Sequence, residues 1–270
     1  MANLVYTRTS DNQARAATIT VNTGTEDTAY PSANLADHQP EKPARLSTTT
    51  GSWVFDMGSA TRLDFAAIIH HNLTPGLEVR LQGNASNVWT SPTLNQAFTI
   101  PAVYADFFPP NPWLNLKTLV PIAANRTFQF WRLVIVGSNA LPISIGEVVL
   151  ASTLRDLGIR NISWGSERMW RRPAVLHETD LLVRHTYDFG TTVRAVTVET
   201  QATDVTLREI ETWYRDAQGI AKPFMIVPLS SENDAWMVSF VEPQQQYQRE
   251  YLNVNTATMI FQELSRGLYP

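Results

Sequence analysis

Apolar and polar residues alternate along most of this chain in short runs, the period of half-buried β-strands. Residues 17–22 (ATITVN), 52–55, 63–70, 78–82, 128–136 and 143–151 are β-branched or aromatic runs bounded by Gly, Pro, Asn or Ser. Runs punctuated in that way predict strands. Residues 101–121 carry five prolines around Phe107, Phe108 and Trp113. Proline cannot donate to a ladder, so this stretch predicts a long ordered loop or an edge segment.

Beyond residue 151 the texture changes. A charge-rich stretch containing Trp164 and Trp170 leads into strands predicted at 181–189 and 194–199. A single helix is predicted over 207–217. Thr206 and Glu209 have the spacing of a capping box, and Leu207, Ile210, Trp213, Tyr214 and Ala217 share one face. Gly219 is placed to end it. Further strands are predicted at 224–227, 235–241 and 253–263. The expected fold class is mainly all-β, with a boundary that divides the chain into residues 1–152 and 153–270.

Composition narrows the chemistry. The chain has 270 residues and no cysteine, which excludes disulfides, thiolate metal sites and cysteine nucleophiles. A net charge of −4, from 21 basic and 25 acidic residues, argues against a dedicated nucleic-acid binder, whose affinity rests on many phosphate contacts. No apolar run approaches the ~20 residues of a membrane span. Residues 1–13 lack a basic start followed by an apolar core, so no signal peptide is expected. The four sequons beginning at Asn72, Asn84, Asn125 and Asn161 are read as chance.

Catalytic spacing is sparse. The sequence holds no dinucleotide fingerprint, phosphate loop, nucleophile elbow or paired-histidine zinc motif. His70 and His71 are adjacent, so on a strand they point to opposite faces and do not share a metal. His177, Glu178 and Asp180 form a polar cluster that nothing pairs with a nucleophile. No catalytic residue, cofactor site or metal site is assigned, and an enzyme is not expected. Trp164, Arg168, Trp170, Arg171 and Arg172 are candidates for a subunit interface, since Trp and Arg anchor such surfaces. Trp89, Tyr104 and Trp113 lie in or beside predicted loops and are candidate glycan contacts.

Four blocks of the N-terminal half carry a resemblance. They are Tyr30-Pro31-Ser32-Ala33-Asn34-Leu35, Trp53-Val54-Phe55-Asp56-Met57-Gly58, the run Leu63 to Leu73, and Phe130 to Ile135 followed by Ile145-Gly146-Glu147-Val148. In this order they resemble the discoidin, or galactose-binding-like, jelly roll. The missing cysteines depart from its secreted members. Gly58 and Gly146 fit turns that need unusual backbone angles. In the C-terminal half, Tyr187-Asp188-Phe189-Gly190, the helix, Lys222 to Val227, Trp236-Met237-Val238 and Phe261 to Leu264 resemble the tail-tube-like β-barrel of siphophage distal tail and baseplate proteins.

The two resemblances together imply a structural component of a phage tail tip or baseplate. It would form a homo-oligomeric ring, six copies by resemblance, and join the tail tube protein to the hub, tip and fibre proteins. The implied location is the virion tail, assembled in the cytoplasm of a bacterial host. The alternative is a lectin-like accessory protein whose discoidin-like half contacts host surface glycans.

Overall fold

The computed structural model describes residues 4–102, 110–120, 122–156, 167–171, 174–178, 184–188, 193–228, 233–241, 246–251 and 254–264. In chain order the strands are β1 (Val5–Tyr6), β2 (Thr18–Thr23), β3 (Ala44–Arg45), β4 (Gly51–Arg62), β5 (Phe65–His71), β6 (Glu78–Asn84) and β7 (Leu94–Thr99). They continue with β8 (Trp113–Asn115), β9 (Thr127–Val136), β10 (Ser144–Ala151), β11 (Arg155–Asp156), β12 (Glu167–Arg171), β13 (Ala174–Glu178) and β14 (Arg184–Asp188). The last five are β15 (Val193–Ala202), β16 (Phe224–Val227), β17 (Trp236–Phe240), β18 (Gln246–Tyr251) and β19 (Val254–Glu263). A one-turn helix, α1 (Leu116–Leu119), follows β8, and the long helix α2 (Asp204–Asp216) follows β15. The protein is mainly β, as its alternating pattern predicts.

The chain forms two compact units, residues 1–159 with 224–237 and residues 160–223 with 238–270. The first is a jelly-roll sandwich. One sheet has the order β3-β10-β5-β8 and the other β2-β4-β9-β6-β7. Side chains from both sheets fill one core in which Trp53, Phe55, Leu81, Trp131, Leu133, Ile68 and Leu150 are all buried. Each large apolar side chain removed from water contributes about 1.5–3 kcal/mol. Trp131 also donates its indole N–H to the Phe128 carbonyl at 3.1 Å, so its polar end is not left bare.

The first unit also takes in residues 224–237, which the sequence reading places with the C-terminal half. The reason is hydrogen bonding. Val5 and Tyr6 pair with Val227 and Ile226, and the Thr7 N–H donates to the Met225 carbonyl at 2.9 Å. Asn111, fully buried, donates from its backbone N–H to Asp234 Oδ1 at 2.9 Å and from Nδ2 to the Ala235 carbonyl at 2.8 Å.

The second unit is built on the strand order β12-β15-β19, with residues 238–240 of β17 pairing the far edge of β19. Strands β13 and β14 form a separate pair. Helix α2 packs on this sheet through Ile210, Trp213 and Ala217, all buried. Trp213 sits 5.4 Å from both Phe240 and Phe261. Arg194 on β15 grips Glu263 on β19 with two hydrogen bonds of 2.7 and 2.6 Å, both residues buried.

Three local expectations change. The helix begins at Asp204, not Leu207, because the Thr203 hydroxyl takes the capping role by accepting the Thr206 N–H at 3.3 Å. Thr206 then lies within the first turn. Strand β7 was not expected, since LNQAFT carries only two large apolar residues. Gly58 does hold a positive φ of 70°, but Gly146 lies inside β10 and not in a turn. A side chain there would stand 2.3 Å from the Pro40 carbonyl oxygen, so glycine admits the close approach of the 37–42 loop.

Candidate functional site

The side chains with most potential for contact lie on the outer face of the five-stranded sheet. Register explains how they meet. Thr20 on β2 pairs with Val54 on β4, Val54 with Arg132 on β9, Arg132 with Gln82 on β6, and Gln82 with Asn95 on β7. Facing residues of neighbouring strands point to the same side. One row therefore crosses all five strands.

Hydrogen bonds tie the polar members together. Arg132 donates from Nε and Nη2 to Gln82 Oε1 at 2.8 and 2.6 Å, and from Nη1 to Asn22 Oδ1 at 2.8 Å. Gln82 passes the chain on, donating from Nε2 to Asn95 Oδ1 at 3.0 Å. Gln82 is buried, Arg132 half-buried, and Asn22 and Asn95 exposed.

Trp89, in the loop joining β6 and β7, lies against the middle of this row. Its ring centroid lies 4.6 Å from the Arg132 guanidinium carbon, a cation–π contact. Its indole N–H donates to Asn87 Oδ1 at 2.7 Å. The loop is tied by Asn84, which donates to the Val88 carbonyl at 2.7 Å and accepts from the Thr93 hydroxyl at 3.0 Å. A half-exposed aromatic is thus held in one orientation beside amide and guanidinium groups. Together they present a flat apolar face next to fixed donors and acceptors, the combination that recognises a polar ring.

Trp113, the second candidate, is placed elsewhere. It lies on β8 at the edge of the four-stranded sheet, stacked on Phe65 with centroids 5.5 Å apart. Its backbone N–H donates to Asn233 Oδ1 at 3.1 Å. Trp89 and Trp113 belong to different sheets and do not converge. Tyr104, Trp164 and Arg172 lie outside the described residues. Arg168, Trp170 and Arg171 belong to β12, where they pair in register with Val196, Arg194 and Val193 of β15.

The remaining polar groups are structural in geometry. His70 and His71 are both buried, and His70 has a φ of 51°. His71 Nδ1 accepts the Leu73 N–H at 3.1 Å, which leaves Nε2 to donate to the Pro110 carbonyl at 3.2 Å. Glu147 of β10 is fully buried, 3.4 Å from His38 Nδ1, and loss of water pushes its carboxyl above the ordinary range. No group of three His, Asp or Glu with the geometry of a metal site occurs among the described residues.

The sequence reading names Trp89 but not Arg132, Gln82, Asn22 or Asn95. Each sits at a polar position of a predicted or overlooked strand. Only the pairing of β9 with β6 makes them neighbours, and register is not written in one strand's alternation.

No family model matches this chain, and no curated protein matches it. Several solved structures do, over about half of it. The lectin domain of lectinolysin, complexed with Lewis B antigen, is 12% identical over 53% of this chain and 98% of its own, with a TM-score of 0.39. A Streptococcus pneumoniae fucose binding module, SpX-3, is 15% identical over 53% of this chain and 98% of its own, at 0.38. A Clostridium perfringens module, CpGH89CBM32-4, complexed with GlcNAc-α-1,4-galactose, is 12% identical over 54% of this chain and 94% of its own, at 0.35.

Proposed function

We propose that the first unit is a carbohydrate-binding module, with its contact surface at Trp89 and the adjoining row on the five-stranded sheet. One observation carries this reading. The Trp89 indole is fixed by Asn87 and lies against Arg132, an inner member of the hydrogen-bonded Asn22–Arg132–Gln82–Asn95 chain. A sugar ring offers an apolar face for the indole and hydroxyls for the amides. The groups are held in place before the ligand arrives, so little side-chain entropy is lost on binding. The module acts by binding alone, with no bond made or broken. The reading as a phage tail ring draws on the sequence resemblance only, and neither family models nor the named structures add to it.

The test is a glycan array followed by calorimetric titration of the full chain with the best saccharide. Trp89→Ala should weaken binding by about tenfold, equivalent to ~1.4 kcal/mol, while circular dichroism stays unchanged. An unchanged affinity in that variant would remove this face from the reading.

A further inference from the structure

Four arginines in the first unit face a carboxylate. Arg62 and Arg126 share Asp64, Arg155 pairs with Asp11 at 2.9 Å, and Arg80 pairs with Glu78 at 2.5 Å. Arg132 differs. Its partners are the neutral amide oxygens of Gln82 and Asn22 and the face of Trp89, and no ion pair involves it among the described residues. Arg80, two residues before Gln82 on the same face of β6, already has its own counter-charge in Glu78.

The donor count gives the geometry. A guanidinium has five N–H groups. One on Nε, one on Nη2 and one on Nη1 are committed to Gln82 and Asn22. One N–H on each terminal nitrogen is therefore uncommitted to the protein. Each can donate to an oxygen of an anion. Burial pulls the Arg132 guanidinium's pKa down, and no neighbouring charge offsets the effect. Neutral amides orient this cation without neutralising it, in contrast to the arginines that stabilise the fold.

We infer that the saccharide bound at Trp89 is an acidic one, whose carboxylate is received by Arg132 while its ring lies against the indole. This rests on the carbohydrate reading of the same face and adds the charge of the ligand. Gln82 and Asn22 act as positioning residues, since they hold the fork without competing for the anion.

The experiment titrates the full chain at low salt with two matched pairs, 3′-sialyllactose against lactose and trigalacturonic acid against its methyl ester. A sulfated lactose is included to separate carboxylate from sulfate. At least one acid should bind tenfold or more tighter than its neutral partner, with the gap narrowing as salt rises. Gln82→Glu supplies an internal carboxylate and keeps the fork satisfied, so the fold should stay intact while the acid preference disappears. Arg132→Gln should also close the gap, and Arg132→Lys should restore part of it.

Equal binding of acid and neutral partners would overturn the charge assignment and leave carbohydrate binding standing. So would a preference that survives Gln82→Glu and Arg132→Gln, or a preference for the sulfated sugar alone. Absence of binding to every saccharide would overturn both.

Discussion

The two sheets of the sandwich are treated in opposite ways by the rest of the chain. In the four-stranded sheet, every residue of β5 and of β10 is buried. Phe65, Ile69 and Val149 lie off the main core cluster yet are just as inaccessible as the residues within it. In the five-stranded sheet, the outward positions of β9 are half-buried and those of β7 exposed, while residues 51–55 of β4 and 81–83 of β6 are buried. One sheet is covered on both faces, and the other keeps part of a face to water. The difference shows in the polar groups. On the covered sheet they are anchors such as Asn111 and His71, each with backbone partners. On the open sheet they bond to one another as side chains, in the row that includes Arg132.

If the covered sheet is held by its anchors, removing one should cost far more than any change on the open face. Asn111 is the sharpest case. Its Oδ1 accepts the N–H of His70 at 2.8 Å, and its Nδ2 serves the Ala235 carbonyl. His70 occupies the left-handed region, which a β-carbon disfavours, so its backbone bond helps hold that geometry. Asn111→Ala would remove two buried hydrogen bonds, at roughly 1–3 kcal/mol each. The expected loss is about 2–5 kcal/mol in denaturant unfolding of the first unit. A loss below about 1 kcal/mol would mean that the 224–237 segment does not depend on this anchor.

The same contrast explains what could be read beforehand. Strands β2, β4, β5, β6, β9 and β10 were legible because each alternates or forms a continuous apolar run between turn residues. The Trp53 and Trp131 core followed from the same pattern. Asn111 was not legible, since its role depends on a segment more than a hundred residues away, and a proline-rich stretch reads only as a loop. Gly146 read as a turn residue because glycine alone does not distinguish a turn from a close backbone approach. Arg132 and Gln82 were invisible as a pair for want of register. Trp89 was legible because a large aromatic in a polar loop stands out without any knowledge of pairing.

A second prediction concerns charge on the covered sheet. Burial raises the Glu147 carboxyl above its ordinary value of 4.5, with His38 opposing and Asp37 reinforcing the shift, and Arg15 opposing it from further off. Asp37 is itself raised, chiefly by burial. A carboxyl whose folded pKa is raised favours folding in its protonated form. Its contribution is therefore complete below about 4.5 and is lost as pH rises through the raised folded value. Glu147→Gln keeps the shape and removes the ionisation. It should raise the thermal midpoint at pH 7 by about 2–4 °C, near 1 kcal/mol for a domain of this size, and should have little effect at pH 4. A midpoint that falls at pH 7 would show that the ion pair with His38 outweighs the cost of burying the charge.

The smallest effect on stability is expected on the open face, and it separates the two roles most cleanly. Asn95 is exposed on β7 and contributes one side-chain contact, accepting the Gln82 amide at 3.0 Å. Removing the exposed Asn95 side chain opens that amide to water, so stability should change by about 0.5–1 kcal/mol, well below the Asn111 loss. Gln82 loses the partner that fixes its amide plane, however, and the Arg132 fork that depends on Gln82 Oε1 becomes less ordered. Saccharide affinity should then drop by a few-fold, the cost of ordering a side chain that was previously held, about 0.5–1.5 kcal/mol. On the covered sheet a polar side chain is coupled to folding, whereas here it should be coupled to binding alone. A variant that lost stability and affinity in proportion would erase that distinction, and unfolding and titration run on the same preparation would show it.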